Sequence, residues 1–323
     1  MMNQNQTNFS GKKILLIDGL NAFTRNFAAY PQLDKNGLSI GGVIGTLKTL
    51  KKVLLLSGCN MVVFCWEGGG SSRRRALYPD YKATRKPEKL NRFYEDDIPE
   101  TEENRNRQVK LLISILRHLP ICQIYVEDAE ADDTIGYLCT HKFKDNEKII
   151  VSSDKDFYQL VDEKTTIYSL HKKQFLNEKY ILDEFRITSQ NFALAKSLCG
   201  DVSDNIKGVK GLGFKTVAKK FPMLSLKDSY LIQDLISYSC VRIKESVIYK
   251  KVTESEDLIR LNWRLVYLNG TMLSAQQIAK IDSRLDAWKP GLNKISFVKQ
   301  LYTFYNPDFD IDSFIYPFNS LLS

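Results

Sequence analysis

Three short apolar runs in this chain each lead directly into a carboxylate. Residues 13–17 (Lys-Ile-Leu-Leu-Ile) are followed by Asp18, residues 61–66 (Met-Val-Val-Phe-Cys-Trp) by Glu67, and residues 148–153 (Lys-Ile-Ile-Val-Ser-Ser) by Asp154. Apolar runs this short, bounded by turn residues, read as strands buried on both faces. Residues 123–126 add another run and residues 165–170 a fifth. Helical spacing occupies 40–56, 106–118 and 130–142. Strands alternating with helices predict an α/β fold: a central, mostly parallel sheet with helices on both faces. Ligands of such sheets bind at the carboxyl ends of the strands, so these acids are expected to meet at one edge.

More carboxylates fall at the same kind of place. Glu130-Ala-Asp132-Asp133 opens the helix after the third strand, and helical spacing turns Glu130 and Asp133 to one face. Asp156 follows Asp154 by two residues, and Asp201 and Asp204 are three apart. Taken singly, each has an ordinary reading. Asp18 serves equally as a helix cap, the 130–133 acids suit a helix N-terminus, and Asp201 and Asp204 suit a solvated turn. Taken together they repel one another, and cations or protons must relieve the repulsion. Hard oxygen ligands suit Mg²⁺ or Mn²⁺. The set therefore points to two ions that activate water, hold a phosphate and steady the leaving oxygen.

Composition removes the competing chemistries. The only histidines, His118, His141 and His171, are isolated, which argues against a His-based metal site or a Ser-His-Asp triad. The six cysteines form no C-x-x-C pair, so reduced thiols in a cytoplasm are expected. The longest apolar run, 53–66, is broken at 57–60 and is too short to span a membrane. A net charge of +8 favours a polyanionic partner, and its location says more than its size.

Basic residues gather at two places. Arg73, Arg74, Arg75, Lys82, Arg85, Lys86, Lys89 and Arg92 crowd the segment after the second strand, interleaved with Tyr78, Tyr81 and Phe93. Such a mixture neutralises phosphates and stacks on unpaired bases, although a solvated charged face is an equal reading, and an acidic patch follows at 95–103. The second locus is a glycine hairpin, Gly208-Val-Lys210-Gly211-Leu-Gly213, flanked by Lys207, Lys215, Lys219 and Lys220. Its glycines allow close backbone approach and its amides precede a helix, which suits a phosphate backbone; an ordinary glycine-rich turn is the alternative.

Five stretches taken in order resemble the flap endonuclease and 5′-3′ exonuclease family, particularly its stand-alone phage members. They are Leu-Ile-Asp-Gly-Leu-Asn (16–21), Tyr-Pro-Asp-Tyr-Lys-Ala-Thr-Arg (78–85), Glu-Ala-Asp-Asp (130–133), Ser-Ser-Asp-Lys-Asp (152–156) and Gly-Asp-Val-Ser-Asp-Asn-Ile-Lys-Gly-Val-Lys-Gly-Leu-Gly (200–213). The resemblance implies one metal among Asp18, Glu67, Glu130, Asp132 and Asp133, and another among Asp154, Asp156, Asp201 and Asp204, with Asp132 near both. It implies a helical arch over 80–107 that passes a single-stranded 5′ end. Lys82 and Arg85 match residues that contact the scissile phosphate, Tyr81 one that stacks on a base, and Arg25 a further phosphate contact. Gly208, Lys210, Gly211, Gly213 and Lys215 match a helix–hairpin–helix variant that holds duplex DNA and a K⁺ ion. Two departures stand out: Glu67 replaces the usual Asp, and the last hundred residues are longer than in compact phage members, without a recognisable clamp-binding box.

The organisation implied is a disordered N-terminus (1–11), a nuclease α/β core (12–177) including the arch, and a helical DNA-binding lobe with C-terminal extension (178–323). The implied protein is a cytoplasmic, monomeric enzyme. It acts on branched or 5′-ended DNA or an RNA/DNA hybrid, alongside replication proteins and away from any membrane. Two alternatives remain open: a PIN-like ribonuclease, which would lack the hairpin and arch, and an inactive protein that binds branched DNA, which should have lost carboxylates.

Overall fold

The computed structural model describes residues 9–84, 101–305, 307 and 310–322. Its centre is a six-stranded sheet in the order β3-β2-β1-β4-β5-β6. Strands β1 (Lys13–Asp18), β2 (Met61–Trp66), β3 (Cys122–Tyr125), β4 (Glu147–Val151) and β5 (Thr165–Ser169) run parallel, and β6 (Gln174–Leu176) closes one edge antiparallel to β5. The register aligns the acids. Asp18 pairs with Cys65, two residues before Glu67, and Ile17 pairs with Val151, three before Asp154.

Helices α1 (Gly19–Ala29), α2 (Gly41–Ser57), α3 (Ser72–Leu77), α4 (Thr101–Leu116) and α5 (Ala131–Tyr137) lie among the strands. After β6 come α6 (Glu178–Phe185), α7 (Ser189–Cys199), α8 (Phe214–Lys220), α9 (Ile232–Val241), α10 (Val247–Glu254), α11 (Glu256–Val266), α12 (Ala275–Ala287), α13 (Lys294–Phe304) and α14 (Ile311–Ile315). The period-two alternation of β1 sends its side chains to two cores. Ile14 and Leu16 pack with Ile135 of α5, Phe192 of α7, Ile259 of α11 and Ile281 of α12. Leu15 and Ile17 pack with Phe23 of α1, Leu47 of α2, Leu112 of α4, Phe297 of α13 and Phe314 of α14. The C-terminal hundred residues thus cover both faces of the sheet: α11 and α12 one, α13 and α14 the other.

Two helix boundaries differ from the sequence reading. The helix expected at 106–118 begins at Thr101, because its first turn is polar and carries no apolar periodicity; Glu102 and Glu103 there suit the helix N-terminus instead. The helix expected at 130–142 is α-helical only to Tyr137 and continues as a π turn, Leu138–Lys142. Beside the junction the Thr140 hydroxyl donates to Gly136 O at 2.7 Å, a bond of the kind that bends helices.

The expected N-terminal tail lies outside the described residues up to residue 8. Phe9 already packs edge-on against Phe143, and Asn146 Nδ2 donates to the Phe9 and Lys12 carbonyls. Within the expected arch, residues 85–100, including Arg85, Lys86, Lys89, Arg92 and Phe93, also lie outside the described residues. One glycine is imposed by the way the site is built. A Cβ on Gly68 would sit 1.6 Å from Val126 O, so only glycine lets the turn after Glu67 cross the end of β3. Among the described residues no helix is long and apolar enough to cross a membrane. All six cysteines are free thiols.

Candidate metal centre

At the carboxyl edge of the sheet lies a cavity of about 940 Å³. Asp18, Glu67, Asp132, Asp154 and Asp204 line it, and Arg25, Lys82 and Arg105 supply cations to its walls. Local chain geometry holds the acids. Asp18 caps α1, accepting the Asn21 N–H at 3.1 Å, while its other oxygen accepts the Ser152 hydroxyl at 3.2 Å. Asn21 returns the tie by accepting the Ser153 N–H at 2.9 Å, which fixes the end of β1 to the loop after β4. Asp154 accepts the Asp156 N–H at 2.9 Å and so caps the short 3₁₀ helix Lys155–Leu160.

The structure does not bring every expected ligand to this cavity. Glu130 and Asp133 do share a face, but they turn it inward onto Arg74. The Arg74 guanidinium holds both Asp133 oxygens at 2.5 and 2.7 Å, reaches Glu130 at 3.1 Å and donates from Nε to Leu265 O at 2.9 Å. Arg74 is 1% exposed, Glu130 0% and Asp133 2%. One of the three arginines read as phosphate contacts is therefore a buried counterion: Ser71 caps α3 and the helix turns Arg74 to the inside.

Tyr81 corrects another expectation. It is 5% exposed, and its hydroxyl donates 2.8 Å to Glu130 and lies 3.2 Å from Asp204, so the ring is not presented to a base. Lys82, with φ +57°, directs its ammonium 2.7 Å from Glu130 and 3.9 Å from Asp204, while its N–H donates to Asp204 O at 2.9 Å.

A second buried cation serves the other acids. Lys196 of α7 pairs with Asp156 and, at 2.6 Å, with Asp201. Asp201 Oδ1 also accepts the Ser203 N–H at 2.8 Å and its hydroxyl at 2.5 Å. The short pair β7 (Gly200–Asp201) and β8 (Ile206–Lys207) closes the loop that carries Asp201 and Asp204. Sequence reasoning missed Lys196 and Arg105. Lys196 had left a signal, a lone lysine amid Ala193, Leu194, Ala195 and Leu198.

Electrostatics sets Asp201 apart from Asp18, Asp154 and Glu130. Burial pushes the Asp18 carboxyl up to about 8; Asp132, Asp154 and Glu67 add to that push, against the Asn21 hydrogen bond. Burial likewise raises Asp154 to about 6 and Glu130 to about 7, the latter despite Lys82 and Arg74. For Asp201 burial acts upward too, but Lys196 and the Ser203 donors outweigh it and hold the carboxyl below its ordinary value.

The cavity acids fit hard divalent ions by chemistry. Among the described residues, no group of three or more His, Cys, Asp or Glu is arranged as a ready-made cage. Mg²⁺ does not require one, since it keeps several waters and binds through one or two carboxylates plus substrate phosphates. Asp18, Glu67, Asp132 and Asp154 are the residues that could hold it.

The glycine hairpin lies beyond β8. Val209 and Leu212 anchor it in the core, while Lys207, Lys210, Lys215 and Lys219 are exposed. Gly211, at φ +94°, turns the chain where Lys251 of α10 donates to Lys210 O at 3.2 Å, adding another cation to that surface.

Comparison with known proteins gives consistent results. A family model described as 5′-3′ exonuclease, N-terminal resolvase-like domain, matches residues 13–186. The flap endonuclease Xni of Shewanella sp. (strain MR-4) is 32% identical over 259 residues, covering 79% of this chain and 90% of that protein. The thermostable DNA polymerase I of Thermus aquaticus is 28% identical over 256 residues, which are 78% of this chain but only 28% of the polymerase. Among solved structures, the bacteriophage T5 D15 flap endonuclease, in a complex with DNA and metal ions, superposes with a TM-score of 0.66 at 16% identity, covering 85% of this chain and 98% of that one. The catalytic core of Rad2 with DNA substrate gives 0.53 at 16% identity, covering 95% and 91%.

Two outcomes follow from the charge arrangement. Arg74→Leu strands the buried Asp133 carboxylate, leaving Glu130 with Lys82, and should cost about 3–5 kcal/mol of stability. Chemical denaturation measures it, and a loss below about 1 kcal/mol would contradict the pairing. The raised acids also set a pH dependence. Asp18 holds its proton to about 8 in the folded chain, whereas an unfolded Asp loses it near about 4. The folded state therefore binds more protons across that window, and stability falls as pH rises through it. In EDTA the melting temperature should drop from pH 5 to pH 8, and added Mg²⁺ should raise it more at pH 8 than at pH 5. Equal Mg²⁺ stabilisation at both would contradict the assignment.

Proposed function

The chain belongs to the 5′-3′ exonuclease and flap endonuclease family and is a structure-specific 5′ nuclease; on that premise we propose that it hydrolyses phosphodiesters near single-strand/duplex junctions, using Mg²⁺ or Mn²⁺ at two positions. The observation that carries this reading is the open cavity, where acids from three strand ends face Arg25, Lys82 and Arg105. Divalent ions there supply an activated water and positive charge for the phosphate and leaving oxygen.

The chain's own residues do the rest. Glu130 holds the Lys82 ammonium at the cavity wall, a preorganised charge aimed where negative charge grows on the phosphate. Arg25 and Arg105 orient the substrate strand by contacts to its phosphates. The exposed hairpin lysines Lys207, Lys210, Lys215 and Lys219 grip the duplex backbone without reading its sequence. The K⁺ site expected from the family belongs at Gly208, Gly211 and Gly213. Arg85 acts with Lys82 on the scissile phosphate. The enzyme works as a cytoplasmic monomer on 5′ flaps and RNA primer ends during replication.

Asp154 tests the assignment, because Asp154→Asn removes a charge and keeps the shape. On a 5′-flap duplex with Mg²⁺, this variant should lose cleavage by about three orders of magnitude or more, with flap affinity within a few-fold of wild type. Wild-type cleavage should vanish in EDTA. Near-normal cleavage by the variant, or EDTA-resistant cleavage by the wild type, would overturn the reading.

A further inference from the structure

Among the acids expected around a second ion, Asp156 and Asp201 share a single buried lysine that also borders an open cavity, whereas the cations on the first set, Arg74 and Lys82, hold Glu130 and Asp133. Lys196 is 4% exposed and rises from α7 between the apolar neighbours Phe192, Ala193 and Ala195, so its stem is fixed and its ammonium has little access to water. It contacts Asp156 and Asp201 together. Asp201 has no oxygen left over, since Oδ2 faces Lys196 and Oδ1 accepts two hydrogen bonds from Ser203. Yet the place is not sealed. A cavity of about 440 Å³ reaches it, lined by Asp154, Lys196, Asp201 and Ser203. In the larger cavity Asp18 accepts hydrogen bonds from Asn21 and Ser152, and among the described residues no ammonium or guanidinium is paired with it.

We propose that the Lys196 ammonium is a built-in cation occupying the second-ion position. The DNA-free protein then holds one divalent ion tightly, among Asp18, Glu67, Asp132 and Asp154, and a second enters beside Asp156 and Asp201 only by displacing Lys196. This rests on the divalent-ion reading given above. The physical reason is that a cluster of like charges needs compensation in the absence of substrate. An ammonium on a buried stem gives that compensation at no cost in ion binding, and it yields when a phosphate brings further ligands for the incoming ion. Lys196 thereby couples occupancy of the second position to substrate: DNA and the second ion favour each other, as linked ligands must.

Mn²⁺ binding to the full chain without DNA tests this, read by isothermal titration calorimetry and by the electron paramagnetic resonance of free Mn²⁺. The wild type should bind one ion tightly and a second about tenfold or more weakly. Asp18→Asn should remove the tight ion. Lys196→Met keeps the apolar stem and removes the charge, and should bring the second ion to within a few-fold of the first. Two equally tight ions on the wild type would overturn the Lys196 assignment and leave the divalent-ion reading standing. That result decides the matter even if Lys196→Met fails to fold, as does a folded Lys196→Met that still binds its second ion as weakly as the wild type. Absence of any Mn²⁺ binding would overturn the divalent-ion reading itself, and this inference with it.

Discussion

Like-charge crowding at the carboxyl edge of the sheet is the constraint around which this protein is organised. Parallel strands that end in step bring Asp18, Glu67 and Asp154 together, and the chain adds six further acids to the same edge. Such a group survives only if each charge is neutralised, protonated or matched by a cation. The protein applies different solutions to different members. Arg74 takes Asp133 entirely and shares Glu130 with Lys82, Lys196 takes Asp156 and Asp201, and the remaining acids face an open cavity.

The compensating cations also connect parts of the chain far apart in sequence. Arg74 donates to Leu265 O at the end of α11, Lys82 donates its N–H to Asp204 O, and Asn205 Nδ2 donates to Asp80 O at 2.9 Å. Asn262, 1% exposed, donates to Ser197 O and Lys207 O, tying α11 to α7 and to the strand before the hairpin. The base of the expected arch, the Asp201–Asp204 loop and the C-terminal helices therefore share one polar network. A change in any one of them alters how the acids are held.

The fold was legible in the sequence because its determinants are local. Short apolar runs between turn residues identified β1 to β5, and the acid after a run marked the functional edge. Helix α4 was read short because its first turn carries charge rather than apolar spacing. The acids of the site were legible as a set, but their individual roles were not. Whether Asp133 meets a metal or an arginine depends on Arg74, 59 residues away in sequence, and no spacing rule links the two. Tyr81 read as an aromatic that stacks on a base, whereas Ile206, Leu265 and Val266, contributed by distant segments, bury it. Lys196 was the one partner with a visible signature, a charged residue in an apolar helix.

The central claim is that the acids facing the cavity, and not those held by Arg74, are the ones that bind the ion. A crystal of the full chain soaked in Mn²⁺ tests it through the metal's anomalous scattering. The account predicts a peak among Asp18, Glu67, Asp132 and Asp154, with the Arg74 guanidinium still holding both oxygens of Asp133. A peak coordinated by Asp133, with Arg74 swung away, would contradict it.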